Sequence, residues 1–330
     1  MEYTGPTVFE LGENQALKQA VSIFKKVPTT IVSSGDDAAV VALGDPRFVV
    51  TTDTLVQDHD FKLEFSSGFD LGFKAVASNI ADVVAMGARP IALTVAMVVT
   101  PTTTQAWLED FARGLQAGLD ELAPTAEIVG GDLAAGSQIV IAVAAHGELI
   151  AEPLLRSGAK PGDVIAICGT LGKAAAGLDL LLHPDKSLSA SYPELVSVQL
   201  RPTPPVEFAL QAAHSATAMM DISDSLALDA NRMARASGVA FNLHSSKLFG
   251  YQAVLELAAQ SVNSRAGAQF SEIDWVLFGG EDHSFLTTFP AGVELPKGFK
   301  IVGEVLASQE PMALLDGKPL EAKGWDSVSS

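Results

Sequence analysis

Apolar residues recur at helical spacing between Leu11 and Val27, at Leu17, Val21 and Phe24, which predicts an amphipathic opening helix. Two short β-rich runs follow, Ala38–Leu43 and Phe48–Thr52, and Gly44-Asp45-Pro46 between them supplies a turn. Ser67–Met86 reads as a long helix, capped by Ser66 or Ser67 and stopped by Gly87 and Pro90. A strand at Ile91–Val99, a helix around Gln105–Leu122 and strands near Glu127–Val129 and Gln138–Ala145 complete a mixed α/β half.

The pattern changes at Ala151–Lys160, a connector punctuated by Pro and Gly, and restarts with the apolar strand Val164–Cys168 and the helix Gly172–Leu182. The stretch His183–Pro205 holds five prolines and is expected to be a surface excursion. Beyond it come a helix to His214, a strand into Met220, a helix from Asp224 to Ala236, and strands at Trp275–Phe278, Ser284–Phe289 and Lys300–Val305. The expected division is an N-terminal α/β domain of residues 1–150 and a C-terminal α/β domain of residues 151–330.

Composition narrows the functional classes. The 330 residues carry 39 acidic against 21 basic side chains, a net charge of −18, so the long-range field opposes nucleic acid and anionic membrane alike. With 48% hydrophobic and 18% charged residues the chain is globular rather than disordered. Its longest apolar stretches, Pro90–Val99 and Gln138–Ala145, are too short to span a bilayer. The N-terminus lacks the order of a secretory signal, and the single cysteine, Cys168, excludes an intrachain disulfide or a multi-cysteine zinc site, so the cytoplasm is the expected location.

Several acidic residues sit in Gly- or Ser-flanked turns at the ends of apolar strands, and the candidates are Asp36 and Asp37, Asp53, Asp82, Asp132, Asp221 and Asp224, Glu281 and Asp282. Ligands of open α/β sheets bind at such ends. Carboxylates brought together there repel by about 4 kcal/mol per pair at 4 Å and an effective dielectric of 20, which calls for hard cations such as Mg²⁺. Gly130-Gly131 and Gly279-Gly280 offer backbone that approaches a phosphate closely. The run CGTLGKAAAG is not a P-loop, because Ile167 stands where the first glycine is required and Ala174 follows Lys173. Cys168 reads as a buried small residue rather than a nucleophile.

In order along the chain, GDDAA, TTDTLV, KAVASNIADVVAMGARP, IVGGD, RSGAKPGD, GTLGKAAAGL, LRPTP, MMDISDSL, FGGED and KGWD resemble the thiamine-monophosphate kinase family, within the superfamily of aminoimidazole ribonucleotide synthetase. The resemblance runs from Gly35 to Trp325. It implies a two-domain α/β architecture with ATP in the interdomain cleft, a homodimer, and Mg²⁺-assisted transfer of phosphate from ATP to thiamine monophosphate. On the matched motifs it implies metal ligation by Asp37, Thr51, Thr52, Asp53, Asp82, Asp132, Asp221 and Asp224, with Asp53 and Asp224 central to catalysis. Gly131, Asp132, Arg156 and Ser223 fall on nucleotide positions, and Glu281 and Trp325 on substrate positions. Asp60 stands where the family carries a substrate-binding histidine, with His59 one residue earlier; Ser225 replaces a glycine and His283 a tyrosine. A phosphate acceptor is already anionic, so this chemistry rests on alignment and charge neutralisation rather than a general base. The alternatives are another ATP-dependent member of the superfamily and a nucleotide-binding paralogue without catalysis.

Overall fold

The computed structural model describes residues 3–32, 39–266 and 271–325. The chain divides into two compact units with the boundary between Ile150 and Ala151, and the short piece Ala85–Gly87 belongs with the second. Both are mixed α/β. Among the described residues no helix is long and apolar enough to cross a membrane.

The first unit begins with α1 (Val8–Leu11), which Gly12 at φ +78° separates from α2 (Glu13–Val21), so the helix predicted over Leu11–Val27 is observed only from Glu13 to Val21. β1 (Thr30–Val32) and β2 (Val40–Val41) pair antiparallel, and β3 (Phe48–Val56) leads into α3 (Gly68–Ala85). Ser67 caps α3 as expected: its hydroxyl accepts from Asp70 N at 3.1 Å, while the Asp70 carboxylate accepts from Ser67 N at 3.0 Å. β4 (Ala88–Val99), α4 (Gln105–Leu122), β5 (Glu127–Ala135) and β6 (Val140–Leu149) follow. The sheet order is β3-β6-β4-β5, with β6 antiparallel to both neighbours and β4 parallel to β5. One sheet face packs on α3 and α4, burying Leu93, Ile141 and Val143 with Val76, Ile80 and Phe111. The opposite face keeps Phe48 and Val50 exposed.

The second unit contains β7 (Val164–Cys168), α5 (Lys173–Leu182), α6 (Ser187–Ser191), α7 (Pro193–Leu200), α8 (Val206–Ala212), β8 (Ala218–Ile222), α9 (Leu226–Ser237), β9 (Val239–Leu243), α10 (Ser245–Gln252), α11 (Glu256–Ala266) and α12 (Glu272–Phe278), then β10 (Ser284–Phe289), β11 (Phe299–Ala307), β12 (Met312–Leu315) and β13 (Lys318–Pro319). The described strands form one sheet of order β13-β12-β9-β11-β7-β10-β8. β10 is antiparallel to both β7 and β8, so the C-terminal ends of β7 and β8 lie together beside the start of β10. The core joins Ile165, Ile167, Met220, Phe241 and Leu286 of the sheet to Leu180, Leu195, Met233 and Trp275 of the helices.

Two expectations are corrected here. The proline-rich stretch is more than a surface excursion: Pro193 sits at the start of α7, where its fixed φ suits a helix, and Leu188 and Leu195 enter the core. Trp275–Phe278 is not a strand but the end of α12, whose first turn carries Glu272 and Asp274 after Ser271.

Candidate active site

In the first unit the strand period places Thr51 and Asp53 on one face of β3 and Thr52 on the other. Thr51 Oγ1 donates to Asp82 Oδ2 of α3 at 2.6 Å, so two expected metal ligands meet across the sheet–helix layer, with Asp53 sharing the face of Thr51. Thr52 Oγ1 instead donates to Val143 O at 2.9 Å. Asn79, one turn before Asp82, is buried with its Nδ2 on Ala75 O at 2.9 Å and its Oδ1 without a partner. Asp37 lies outside the described residues.

Gly131 and Asp132 are exposed on β5 and border a cavity of about 630 Å³ lined by Leu17 and Val21 of α2, Ala112 and Leu115 of α4, and Thr94 and Met97 of β4. A Cβ on Gly131 would stand 2.2 Å from Val95 O, so this glycine is required by the close approach of β4 as well as open to a ligand. Both oxygens of Asp60 are engaged inside the turn after β3: Oδ2 accepts from Val56 N at 2.8 Å and Oδ1 lies 2.9 Å from His59 Nδ1. That geometry gives Asp60 the task of holding the turn and orienting His59, whose ring is the more exposed of the two.

In the second unit, motifs far apart in sequence converge at the end of the sheet where β7 and β8 finish. Glu281 N donates to Ser223 O at 2.8 Å, His283 N to Ile222 O at 3.2 Å and Trp325 N to Asp224 O at 3.1 Å. A Cβ on Gly280 would lie 2.4 Å from Ser223 O, so this glycine too serves the approach of two chain segments. Asp221, Ser223, Asp224, Glu281 and Trp325 are therefore neighbours. Glu281 and His283 hold left-handed φ values of +69° and +48°, conformations costly for residues with a Cβ and concentrated where function is expected.

Asp282 between them is buried; its carboxylate accepts from Thr170 Oγ1 at 2.6 Å and from Ala174 N at 3.4 Å, at the start of α5. The protein's own carboxyl thus fills the helix N-terminus of CGTLGK, which accords with the absence of a P-loop. Burial pushes the Asp282 carboxyl up, opposed by these hydrogen bonds.

Arg156 does not join this group. Ser237 Oγ donates to Arg156 O at 2.8 Å at the C-terminal end of α9, whereas Ser223 and Asp224 precede its N-terminal end, about 18 Å away at 1.5 Å per residue. Arg156 is exposed at the opposite end of the sheet.

Two residues not singled out in the sequence belong to the acidic junction. Arg232 Nη1 reaches Asp224 Oδ2 at 2.5 Å and Asp229 Oδ1 at 2.7 Å. Asp229 is fully buried, and burial with the nearby charge of Asp221 raises its carboxyl to about 6. Asp224, Asp229 and Arg232 recur at i, i+5 and i+8 around the start of a helix, a spacing that reads as ordinary surface charge until the fold shows Asp229 buried. Asp221 lies 3.3 Å from His283 Nδ1. Among the described residues no three His, Cys, Asp or Glu side chains converge into a ready-made metal cage. The donors come as all-oxygen sets within each unit, and the crowding sensed by Asp229 is offset by one guanidinium; both features suit a hard divalent cation such as Mg²⁺. Cys168 is buried, and burial pushes its thiol up to about 12, as an inert core residue requires.

Comparison with known proteins bears on this arrangement. The family described as AIR synthase related protein, N-terminal domain, matches residues 35–149. Thiamine-monophosphate kinase of Mycobacterium tuberculosis is 38% identical over 325 residues, covering 98% of this chain and 93% of its own. That of Corynebacterium glutamicum is 39% identical over 334 residues, covering 98% and 95%. Among solved structures, AaThiL complexed with AMPPCP and TMP superposes with a TM-score of 0.74 at 30% identity, covering 98% of this chain and 99% of that one. The ordered motifs, the two α/β units and the full-length similarity together make this chain a member of the thiamine-monophosphate kinase family.

Proposed function

We propose that the protein transfers the γ-phosphoryl group of ATP to the phosphate of thiamine monophosphate, giving thiamine diphosphate and ADP. The observation that carries this reading is the junction in the second unit, where Asp221, Ser223, Asp224, Glu281 and Trp325 meet in a chain 38% identical over 98% of its length to a thiamine-monophosphate kinase. In the transfer an acceptor phosphate oxygen bonds to the γ-phosphorus as the bond to the β,γ-bridging oxygen breaks. The acceptor is anionic beforehand, so no side chain has to remove a proton.

The residues divide that work. Thr51, Asp53 and Asp82 would offer oxygen donors to Mg²⁺ within the first unit, and Asp221 and Asp224 would do so within the second, with Asp37, Thr52 and Asp132 assigned to the same task by their motifs. When bound, the ion neutralises phosphate charge that these carboxylates would otherwise repel. The cavity beside Gly131 and Asp132 is apolar and large enough for a nucleotide base, and we assign it to adenine. Trp325, 40% exposed, is assigned to an aromatic substrate ring, and Glu281, whose backbone joins the same junction, to the same substrate by its motif. His59, oriented by Asp60, is the better-placed group for the substrate phosphate.

A second copy of the chain pairs, on this reading, with the sheet face that leaves Phe48 and Val50 exposed, at 53% and 56%, alongside the small residues Ala142 and Ala144 of β6. The cytoplasm is the proposed location, from the single buried cysteine. Asp53→Asn tests the assignment: turnover falls by orders of magnitude while the circular dichroism spectrum and unfolding midpoint stay near wild type. Near-normal turnover in that variant contradicts the metal role of Asp53.

A further inference from the structure

We propose that Arg232 is an internal counter-ion that holds Asp224 until a divalent cation displaces it, so that this arginine sets the cation concentration at which the site fills. The proposal rests on the reading of Asp224 as a cation ligand. Both ion pairs are made by one nitrogen, Nη1, to Asp224 Oδ2 at 2.5 Å and to Asp229 Oδ1 at 2.7 Å. The two carboxylates are unequal: the Asp229 side chain is 0% exposed and that of Asp224 is 21% exposed. A buried carboxylate stripped of its partner is strongly unfavourable, whereas one that reaches solvent has water or an ion to turn to. The bond that exchanges is therefore Arg232–Asp224, and Arg232 stays with Asp229.

The loop survives that exchange. Asp229 Oδ2 accepts from Asp224 N at 3.3 Å and from Ser225 N at 3.4 Å, and Asp224 O accepts from Trp325 N at 3.1 Å. None of these bonds involves the guanidinium, so Asp224 is presented in place once its carboxylate is released. The displaced cationic head remains next to the incoming cation and opposes it by like-charge repulsion. Without a cation, Arg232 relieves the carboxylate crowding that Asp229 senses from Asp221 and Asp224.

The test is direct binding of Mn²⁺ alone, counted from the electron paramagnetic resonance of the free ion, in wild type, Asp224→Asn and Arg232→Gln. The Asp224-dependent site is expected to tighten at least tenfold in Arg232→Gln. Because that variant strands the buried Asp229, the comparison is repeated between Asp229→Asn and Asp229→Asn/Arg232→Gln, where no buried charge is left unpaired and the same tightening is expected. Unchanged or weaker Mn²⁺ binding on removal of Arg232, in whichever backgrounds fold, overturns the proposal while leaving Asp224 as a ligand. Wild-type binding that is absent or indifferent to Asp224→Asn overturns the ligand reading and this proposal together.

Discussion

Ser225 shows how a residue that departs from the family pattern is accommodated. Its φ of 169° is extended backbone that any side chain adopts, so glycine is not needed there. The hydroxyl accepts from Leu228 N at 3.0 Å, capping α9, and donates to Lys323 O at 2.6 Å, tying down the segment that carries Trp325. Losing an N-cap costs about 1 kcal/mol, and losing a half-buried hydrogen bond about 0.5–1.5 kcal/mol. Ser225→Ala is therefore expected to lower unfolding stability by about 2 kcal/mol in denaturant titration and to raise the KM for thiamine monophosphate more than it lowers kcat. Wild-type stability with an unchanged KM contradicts the tie. At this scale the residue types of the candidate site are legible as ordered motifs, but their settings are not all strand-end turns: Asp53 and Asp132 lie inside β3 and β5, and Asp82 inside α3. The reasons for those residue types are less legible: Gly131 and Gly280 are small because Val95 O and Ser223 O stand within 2.4 Å of where a Cβ would be, a demand set by partners 36 and 57 residues away. The burial of Asp229 likewise follows from packing that no local pattern encodes, whereas both Asp60 oxygens are engaged within their own turn, by Val56 N and His59.

Among the elements, those with a complete local signal matched their reading. α4 starts at Gln105 behind the Thr104 cap and ends at Leu122, and β7 spans Val164–Cys168. α12 was misread because Trp275-Val276-Leu277-Phe278 is as apolar as a buried strand, while its true signal was the acidic turn before it. β9, Val239–Leu243, is buried on both faces and follows α9 with only Gly238 at φ +68° between them, so its period was hidden. The cavity at Gly131 depended on α2 lying beside α4, a helix–helix packing invisible in either segment alone. That packing predicts that Val21→Trp, at the cavity wall on α2, raises the KM for ATP about tenfold with little change in the KM for thiamine monophosphate. Equal shifts in both constants, or none, exclude this cavity as the adenine site.

For the whole molecule, a net charge of −18 sits uneasily with two anionic substrates, and on the proposed reading cations held by the site carboxylates offset it. The exposed apolar face of the first unit's sheet is the other global feature. Val50→Lys on that face is expected to convert a dimer into a monomer by light scattering at micromolar concentration, and a dimer that persists would remove the face from the interface. The central claim is the transfer itself. Purified protein incubated with ATP, Mg²⁺ and either thiamine monophosphate or thiamine, followed by chromatography of the thiamine species, tests it most directly. Thiamine diphosphate formed from the monophosphate, with thiamine left unphosphorylated, is the predicted result; no diphosphate from the monophosphate, with ATP binding confirmed by calorimetry, contradicts it and leaves a nucleotide-binding protein with another acceptor or none.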